Sequence, residues 1–251
     1  MAAWGICTRF RHRCRRSLPG FESSPTADGF PRPTPPPEKT DVNPQGTHVA
    51  DLRALITQLK ASPAHLVGNS YGAYIALALA LDHPTLVRSL VLGEPPVFPL
   101  LSRTAVGEAA GQSWVRRVME PSRKGFESGD LEAGLRPFFD AILGTGFFDA
   151  LPSSERSELV KKQAPELRSQ FKTDRSAYMP SLDCDRLGKL ARPTLLVTGE
   201  RSPAVLLLIA AELERCLEGE AHVMVPEAGH TPQKENAVFY NQVVMAFLQR
   251  H

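Results

Sequence analysis

The stretch Ala64-His-Leu-Val-Gly-Asn-Ser-Tyr-Gly72 decides the fold, because it joins a short apolar run to an apolar helix through a tight turn. Ala64 to Gly68 has the length and composition of a buried strand. Gly72 to Asp82 is rich in alanine and leucine and is apolar nearly all round, which predicts a buried helix. Ser89 to Gly93 predicts another buried strand, and a strand–helix–strand order within about thirty residues is typical of a parallel sheet.

The turn itself, Gly68-Asn69-Ser70-Tyr71-Gly72, matches the pattern G-x-S-x-G between a strand and a helix. Such a turn holds the serine in a strained backbone conformation and projects its hydroxyl above the sheet. Glycines two residues before and after the serine let neighbouring backbone pass without a Cβ clash. The helix N-terminus stabilises negative charge on an attacked carbonyl. The pattern therefore predicts that Ser70 is a nucleophile.

Outward from this unit, residues 47–60 have apolar positions at helical spacing, and residues 95–190 contain helical patterns without strand-like runs. The helices predicted in this insertion are 104–119, 131–143 and 153–172, the last with a break at Pro165. Alternation of strands and helices returns after Pro193, with strands 194–198 and 222–225 and helices 203–217 and 236–249. The insertion is expected to lie on top of an α/β core.

Residues 1–46 contain eight of the 22 prolines and no convincing strand, so this leader is interpreted as extended or disordered. Its first eighteen residues are rich in arginine and free of acids. This composition leaves two interpretations open, an organelle transit peptide or an unstructured leader, and the bunching of the arginines favours the second.

Composition excludes several classes of protein. The chain has 251 residues, 42% hydrophobic and 22% charged, with a net charge of +2, which suits a globular core rather than disorder. No basic face recurs beyond residues 9–16, so a nucleic-acid partner is not expected. The four cysteines lack metal-binding spacing, which argues against a disulfide framework or zinc site and favours a reduced, cytoplasmic setting. No run approaches the roughly 20 apolar residues of a membrane span.

Three segments carry a family resemblance: His65 to Gly72 with the following helix to Pro84, Pro193 to Glu200, and Val225 to His230. Over about residues 47–251 the chain resembles the α/β-hydrolase family, in particular its capped esterase, peroxidase-like and C–C-bond hydrolase branch. The resemblance implies a mostly parallel sheet flanked by helices, with residues 47–94 and 191–251 as the core and 95–190 as a helical cap.

The resemblance also implies site residues. His230 corresponds to the base, on a loop after the last strand, and the backbone N–H of Tyr71 to an oxyanion donor. The acid is open between two candidates, because Ser202 stands where most members have an aspartate. Glu94, after the preceding strand, is preferred, and Glu200 is the alternative. No metal or organic cofactor is implied, and the oligomeric state stays open.

The N-terminal part departs from the family pattern, since neither the expected early strands nor a His-Gly oxyanion loop is found in residues 1–46. A truncated or frame-shifted leader is one hypothesis, and it predicts that strand 64–68 becomes an exposed edge. The expected function is a serine hydrolase acting on a small apolar ester or related carbonyl compound. The alternative is a catalytically impaired ligand-binding protein of the same fold. Cap aromatic residues are expected to form either a pocket lining or the cap core: Phe98, Trp114, Phe138, Phe139, Phe147 and Phe148.

Overall fold

A computed structural model describes residues 5–7, 44–172, 182–217 and 221–251. In these ranges, five strands form one sheet in the order β1 to β5. Strand β1 is antiparallel to β2, and β2 to β5 are parallel to one another. The bounds of the strands are β1 Gly5–Cys7, β2 Ala64–Asn69, β3 Val87–Gly93, β4 Thr194–Gly199 and β5 Ala221–Val225.

The strand register aligns the carboxyl ends of the central strands. Asn69 of β2 lies opposite Gly93 of β3, and Gly93 lies opposite Val197 of β4. Both β3 and β4 are buried along nearly their whole length, which is why their sequences are continuous apolar runs rather than alternating ones. Residues that follow these three strands therefore meet at one edge of the sheet, where ligands of open α/β sheets bind.

Eleven helices are present in the described ranges, together with short 3₁₀ and π segments. Their bounds are α1 Pro44–Gln58, α2 Tyr71–Asp82, α3 Ala105–Trp114, α4 Glu120–Glu127, α5 Leu131–Leu143, α6 Phe147–Ala150, α7 Ser153–Lys172, α8 Cys184–Leu187, α9 Ala204–Cys216, α10 Pro232–Glu235 and α11 Ala237–Arg250. Helices α1, α2 and α9 pack with Leu90, Leu92 and Leu196. Helix α11 packs with Val91, Leu195 and Val197. Alternate residues of β3 and β4 thus face two helical layers.

The insertion between β3 and β4 is helical, as predicted, and helices α3 to α7 form a cap. Its own apolar cluster contains seven buried side chains: Phe126, Leu135, Phe139, Phe148, Ala164, Leu167 and Phe171. The predicted break at Pro165 is wrong, since α7 runs unbroken from Ser153 to Lys172 with Pro165 inside it. Helices α4, α6, α8 and α10 are short elements that the sequence pattern did not predict.

Two expectations about the N-terminal part are corrected. A short strand, β1, does occur within residues 1–46, and it covers the edge of β2 that was expected to be open, with Ile6 opposite Leu66. Three residues carry too weak a pattern to be distinguished from loop by sequence. Apart from β1 and the start of α1, the leader lies outside the described residues, so the disorder predicted for it stays a prediction.

The expectation that the cysteines stay reduced is also wrong for one pair. Cys184 at the start of α8 and Cys216 at the end of α9 form a disulfide, with their Cα atoms 5.0 Å apart. They are 32 residues apart in sequence, and only the packing of α8 against α9 brings them together. The cytoplasmic expectation loses the cysteine argument that supported it. Within the described ranges, the helices are all too short or too polar to traverse a bilayer.

Candidate active site

Ser70 occupies a one-residue turn between β2, which ends at Asn69, and α2, which begins at Tyr71. Its backbone angles, φ 55° and ψ −127°, are rare for a residue with a side chain. The conformation is held by hydrogen bonds on both sides: the Ser70 N–H donates to the Gly93 carbonyl at 2.7 Å, and the Ser70 carbonyl accepts from the Tyr74 N–H at 3.1 Å. The strained serine predicted from the G-x-S-x-G pattern is therefore present.

Gly68 is required by this turn. A Cβ on Gly68 would lie 2.7 Å from the backbone of Gly72 and Ala73, which cannot move without displacing the start of α2. The close approach of β2 and α2 is what makes the turn so sharp. A glycine at this position therefore has a steric reason independent of any chemistry.

Glu94 and His230 form a buried pair beside the turn. His230 Nδ1 lies 2.6 Å from Glu94 Oε2, and the two residues are 5% and 1% exposed. An ionised carboxylate only accepts hydrogen bonds, so the Nδ1–H donates to it and Nε2 is left as the basic nitrogen. The other Glu94 oxygen, Oε1, accepts from the Gly199 N–H at 2.8 Å and from the Ser202 hydroxyl.

Asn69 and Glu235 hold the loop that carries His230, and Gly199 leaves room for it. Asn69, next to the serine, donates from Nδ2 to the His230 carbonyl at 3.2 Å. Glu235 accepts the N–H groups of Gly229 and Thr231, the two neighbours of His230, at 2.8 and 2.9 Å. Gly199 makes room for the loop, because a Cβ there would lie 2.2 Å from the Gly229 carbonyl oxygen.

Glu235 is ionised more readily than an ordinary glutamate. Partial burial raises the pKa of Glu235, but hydrogen bonds from the Gly229 N–H, the Thr231 hydroxyl and the Thr231 N–H outweigh that effect and lower the pKa overall. Thr231 precedes α10 and Glu235 ends it, and Glu235 reaches back to accept the N–H and the hydroxyl of Thr231. The negative charge of Glu235 thus stabilises the loop on both sides of His230.

Glu200, the other candidate acid, contacts the turn at Glu227. It is exposed, and its Oε2 accepts the Glu227 N–H at 2.8 Å, in the turn before the His230 loop. The structure therefore brings Glu94 into contact with His230 and gives Glu200 a turn-stabilising bond. Four described residues other than glycine have positive φ, namely Lys60, Ser70, Glu94 and Glu227. Two of the four are in the predicted site, where backbone strain concentrates in functional proteins.

Three residues of this arrangement were not predicted to take part: Asn69, Ser202 and Glu235. Ser202 was noted only as standing in place of an aspartate, and Asn69 only as a variable position of the motif. Glu235 lies four residues after Thr231, one more than a capping box requires, so the sequence does not single it out. Nothing in the spacing of Asn69 or Ser202 indicates their contacts, which depend on the alignment of strand ends.

Comparison with known proteins gives the family. Residues 11–243 match the Alpha/beta hydrolase family. This chain belongs to that family. The match begins well before residue 47, the start of the resemblance in the sequence, and it includes the helical insertion between β3 and β4. The mostly parallel sheet flanked by helices, predicted from the sequence around the G-x-S-x-G turn, is thereby confirmed as an α/β-hydrolase fold.

Individual relatives of this α/β hydrolase are distant. A 2-hydroxy-6-oxononadienedioate/2-hydroxy-6-oxononatrienedioate hydrolase of Klebsiella pneumoniae is 27% identical over 212 residues, covering 79% of this chain and 67% of the relative. The structure of the 2-hydroxy-6-oxo-6-phenylhexa-2,4-dienoate hydrolase from Rhodococcus sp. strain RHA1 has a TM-score of 0.59 at 17% identity, covering 85% and 74% of the two chains. The carboxylesterase CesB from Bacillus subtilis has a TM-score of 0.54 at 20% identity, covering 81% and 66%. These two structural likenesses show the fold.

The aromatic residues of this α/β hydrolase divide between two environments. Phe139 and Phe148 are buried in the cap cluster and Phe147 packs against it, so these three form cap core. Phe98 and Trp114 pack with the main core, their ring centroids 5.8 Å apart, and Phe138 contacts both clusters. Phe98 also lines an open groove of about 400 Å³ on the cap.

That groove contains none of the candidate site residues. Its lining comes from the segment that follows β3 and from α3: Phe98, Leu101, Ser102, Glu108, Gly111, Gln112, Val115 and Arg116. Ser70, Glu94 and His230 lie instead at the carboxyl ends of the strands and the loop after β5. In the described part of the chain, no three His, Cys, Asp or Glu side chains converge as ligands of a metal ion.

Proposed function

We propose that this α/β hydrolase is a serine hydrolase that uses Ser70 as nucleophile, His230 as base and Glu94 as the acid that orients His230. One observation carries the proposal: a buried carboxylate bonds His230 Nδ1 at 2.6 Å beside a serine held in a strained strand-to-helix turn. An imidazole bonded in this way is fixed in one tautomer, with Nε2 free to accept a proton.

The reaction proceeds through an acyl-enzyme. His230 Nε2 takes the proton of the Ser70 hydroxyl as Oγ attacks the carbonyl carbon of the substrate. The tetrahedral intermediate collapses, the alcohol leaves with the proton from His230, and an ester bond joins the acyl group to Ser70. Water then attacks that ester with His230 again as base, which releases the acid and restores Ser70. Glu94 accepts the hydrogen bond from Nδ1 throughout and stabilises the imidazolium that forms in each half-reaction.

The oxyanion is stabilised at the start of α2. The backbone N–H of Tyr71 is the first of this helix, and it follows the nucleophile directly. The partial positive charge of the helix N-terminus adds to the attraction for negative charge on the substrate oxygen. A second donor was not found in the sequence of residues 1–46, most of which lie outside the described residues.

The substrate proposed is a small apolar ester or related carbonyl compound. The support is the match to the Alpha/beta hydrolase family and the aromatic side chains Phe98, Trp114 and Phe138, which lie between the cap helices and the main core. Aromatic side chains at such a boundary favour apolar acyl or alkyl groups. The carboxylesterase from Bacillus subtilis shares the fold, which is compatible with ester hydrolysis but does not define a substrate.

A second candidate reaction is hydrolysis of a C–C bond beside a ketone. It is favoured by the relative of Klebsiella pneumoniae, whose name describes a hydrolase of 2-hydroxy-6-oxo dienedioates. The same Ser70, His230 and Glu94 arrangement would serve, with a carbanion rather than an alkoxide as the leaving group. Loss of a conjugated dienoate chromophore would detect this activity.

The experiment compares wild type with Ser70→Ala on p-nitrophenyl esters of graded chain length and on a 2-hydroxy-6-oxo dienoate. Turnover of short-chain esters that is lost by at least about a thousandfold in Ser70→Ala supports the serine hydrolase. Turnover of the dienoate alone supports the C–C hydrolase. No Ser70-dependent turnover, combined with tight binding of an apolar ligand, would favour the impaired, ligand-binding alternative.

A further inference from the structure

Ser202 contacts the acid rather than the substrate side of the site. It follows β4 by three residues, is 7% exposed, and donates its hydroxyl hydrogen to Glu94 Oε1. The same oxygen accepts the Gly199 N–H at 2.8 Å, while Oε2 faces His230. The two carboxylate oxygens of Glu94 therefore have different partners. Oε1 accepts from groups at the end of β4, and Oε2 accepts from the imidazole.

This division matters because the plane of the Glu94 carboxylate needs donors of its own. Glu94 has φ 46°, and its N–H donates to the Val197 carbonyl at 3.2 Å, which fixes the main chain but does not touch the carboxylate. A tilt of the carboxylate plane would turn Oε2 away from His230 Nδ1 and weaken the bond between them. Two donors from the β4 end, one rigid backbone N–H and one hydroxyl, define the plane of the carboxylate.

We propose that Ser202 is the positioning residue of Glu94. This inference rests on the proposed function. Strands β3 and β4 are adjacent and parallel, so Ser202, which follows β4, meets Glu94, which follows β3. The Ser202 hydroxyl and the Gly199 N–H together hold Oε1 of Glu94, which leaves Oε2 to accept from His230 Nδ1.

The test removes the hydroxyl of Ser202. Ser202→Ala is expected to lower kcat on a short p-nitrophenyl ester about tenfold, the effect of losing one hydrogen bond to a charged group, with KM unchanged. Ser202→Thr, which keeps a hydroxyl, is expected to retain most of the rate. Rates are expressed per Ser70 titrated with a fluorophosphonate, so that loss of folded protein does not count as loss of kcat. Ser122→Ala, a buried serine in the cap, is the matched control.

Wild-type kcat in Ser202→Ala would overturn the inference while leaving Ser70-dependent hydrolysis intact. Turnover that survives Ser70→Ala would overturn the proposed function and this inference with it.

Discussion

At the carboxyl ends of β2, β3 and β4 the buried residues include charged and polar side chains on strained backbone, whereas the cap interior is built from aromatic and aliphatic side chains. Asn69, Glu94, Ser202 and His230 are all less than a tenth exposed, and each has a hydrogen-bond partner in the same small volume. The cap cluster around Phe126, Phe139 and Phe148 is apolar.

Different contributions to the free energy dominate in the two regions. A buried carboxylate is costly unless every acceptor is satisfied, so the strand ends must be positioned to within a few tenths of an ångström. The cap is stabilised by burial of apolar area. Apolar packing tolerates a change of side-chain shape better than a buried hydrogen-bond network tolerates the loss of a partner. Substitutions at the strand ends are expected to change the rate most, and substitutions in the cap interior to change mainly the free energy of unfolding.

The largest effect is expected at the acid. Glu94→Gln keeps the size of the side chain but removes the charge that orients and stabilises the His230 imidazolium, and kcat is expected to fall by about 10³–10⁴. Glu200→Gln is the matched control, since Glu200 is exposed and bonds only the Glu227 N–H among the contacts described above. It is expected to stay within about twofold of wild type. Steady-state kinetics on one ester distinguishes the two, and the opposite ranking would make Glu200 the acid.

In the cap interior, Phe148→Ala is expected to lower the free energy of unfolding by about 3–5 kcal/mol, because it opens a cavity in a fully buried cluster. It also removes the ring over which Arg136 and Arg156 lie. Urea denaturation measures the change, with Val106→Ala, at a residue that is 67% exposed, as the control. A loss of kcat per titrated Ser70 as large as that of Glu94→Gln would contradict the separation between the two regions.

A smaller effect on rate is expected at the hydrogen bond between Asn69, next to Ser70, and the loop that carries His230. Asn69→Ala removes the amide that donates to the His230 carbonyl, so kcat is expected to fall about tenfold through looser placement of the imidazole. Stopped-flow labelling of Ser70 by a fluorophosphonate measures the same step without product release. Asn241→Ala, an exposed amide on α11, controls for loss of any asparagine, and equal rates in the two variants would show that the contact has no role.

The smallest effect is expected at Glu235, and it depends on pH. The pKa of Glu235 is lower in the folded protein than in the unfolded chain, so its contribution to stability is present above the unfolded pKa and is lost as pH falls through the folded value. The Tm of wild type is expected to exceed that of Glu235→Gln at pH 7, and the gap to shrink below about pH 4.3, the ordinary glutamate pKa. The exposed Glu155→Gln on α7 is the control. A gap that is constant with pH would refute the ionic role of Glu235.

Sequence reasoning went furthest where local pattern and fold agree. The strand–turn–helix around Ser70 is encoded by Gly68 and an apolar flank, and helix α5 was predicted at its observed bounds, Leu131–Leu143. The choice of Glu94 over Glu200 came from a missing aspartate at 202, and the geometry now gives that choice a contact with His230.

The contacts that the sequence did not predict join residues that are far apart in the chain. The Cys184–Cys216 disulfide and the Ser202–Glu94 contact join residues 32 and 108 positions apart, and neither leaves a periodic trace. Strand β1 is three residues long, and the unbroken α7 shows that packing overrides the helix-breaking preference of Pro165. Short elements and long-range contacts are decided by tertiary packing rather than by local propensity.

The most direct measurement is the position of the adduct that a fluorophosphonate probe forms with the purified protein, read by intact mass and peptide mapping. One adduct is expected, on Ser70, formed rapidly in wild type and slowly in Glu94→Gln and His230→Ala. The absence of an adduct from the folded protein, or an adduct on another serine, would contradict the claim that the turn after β2 carries an activated nucleophile.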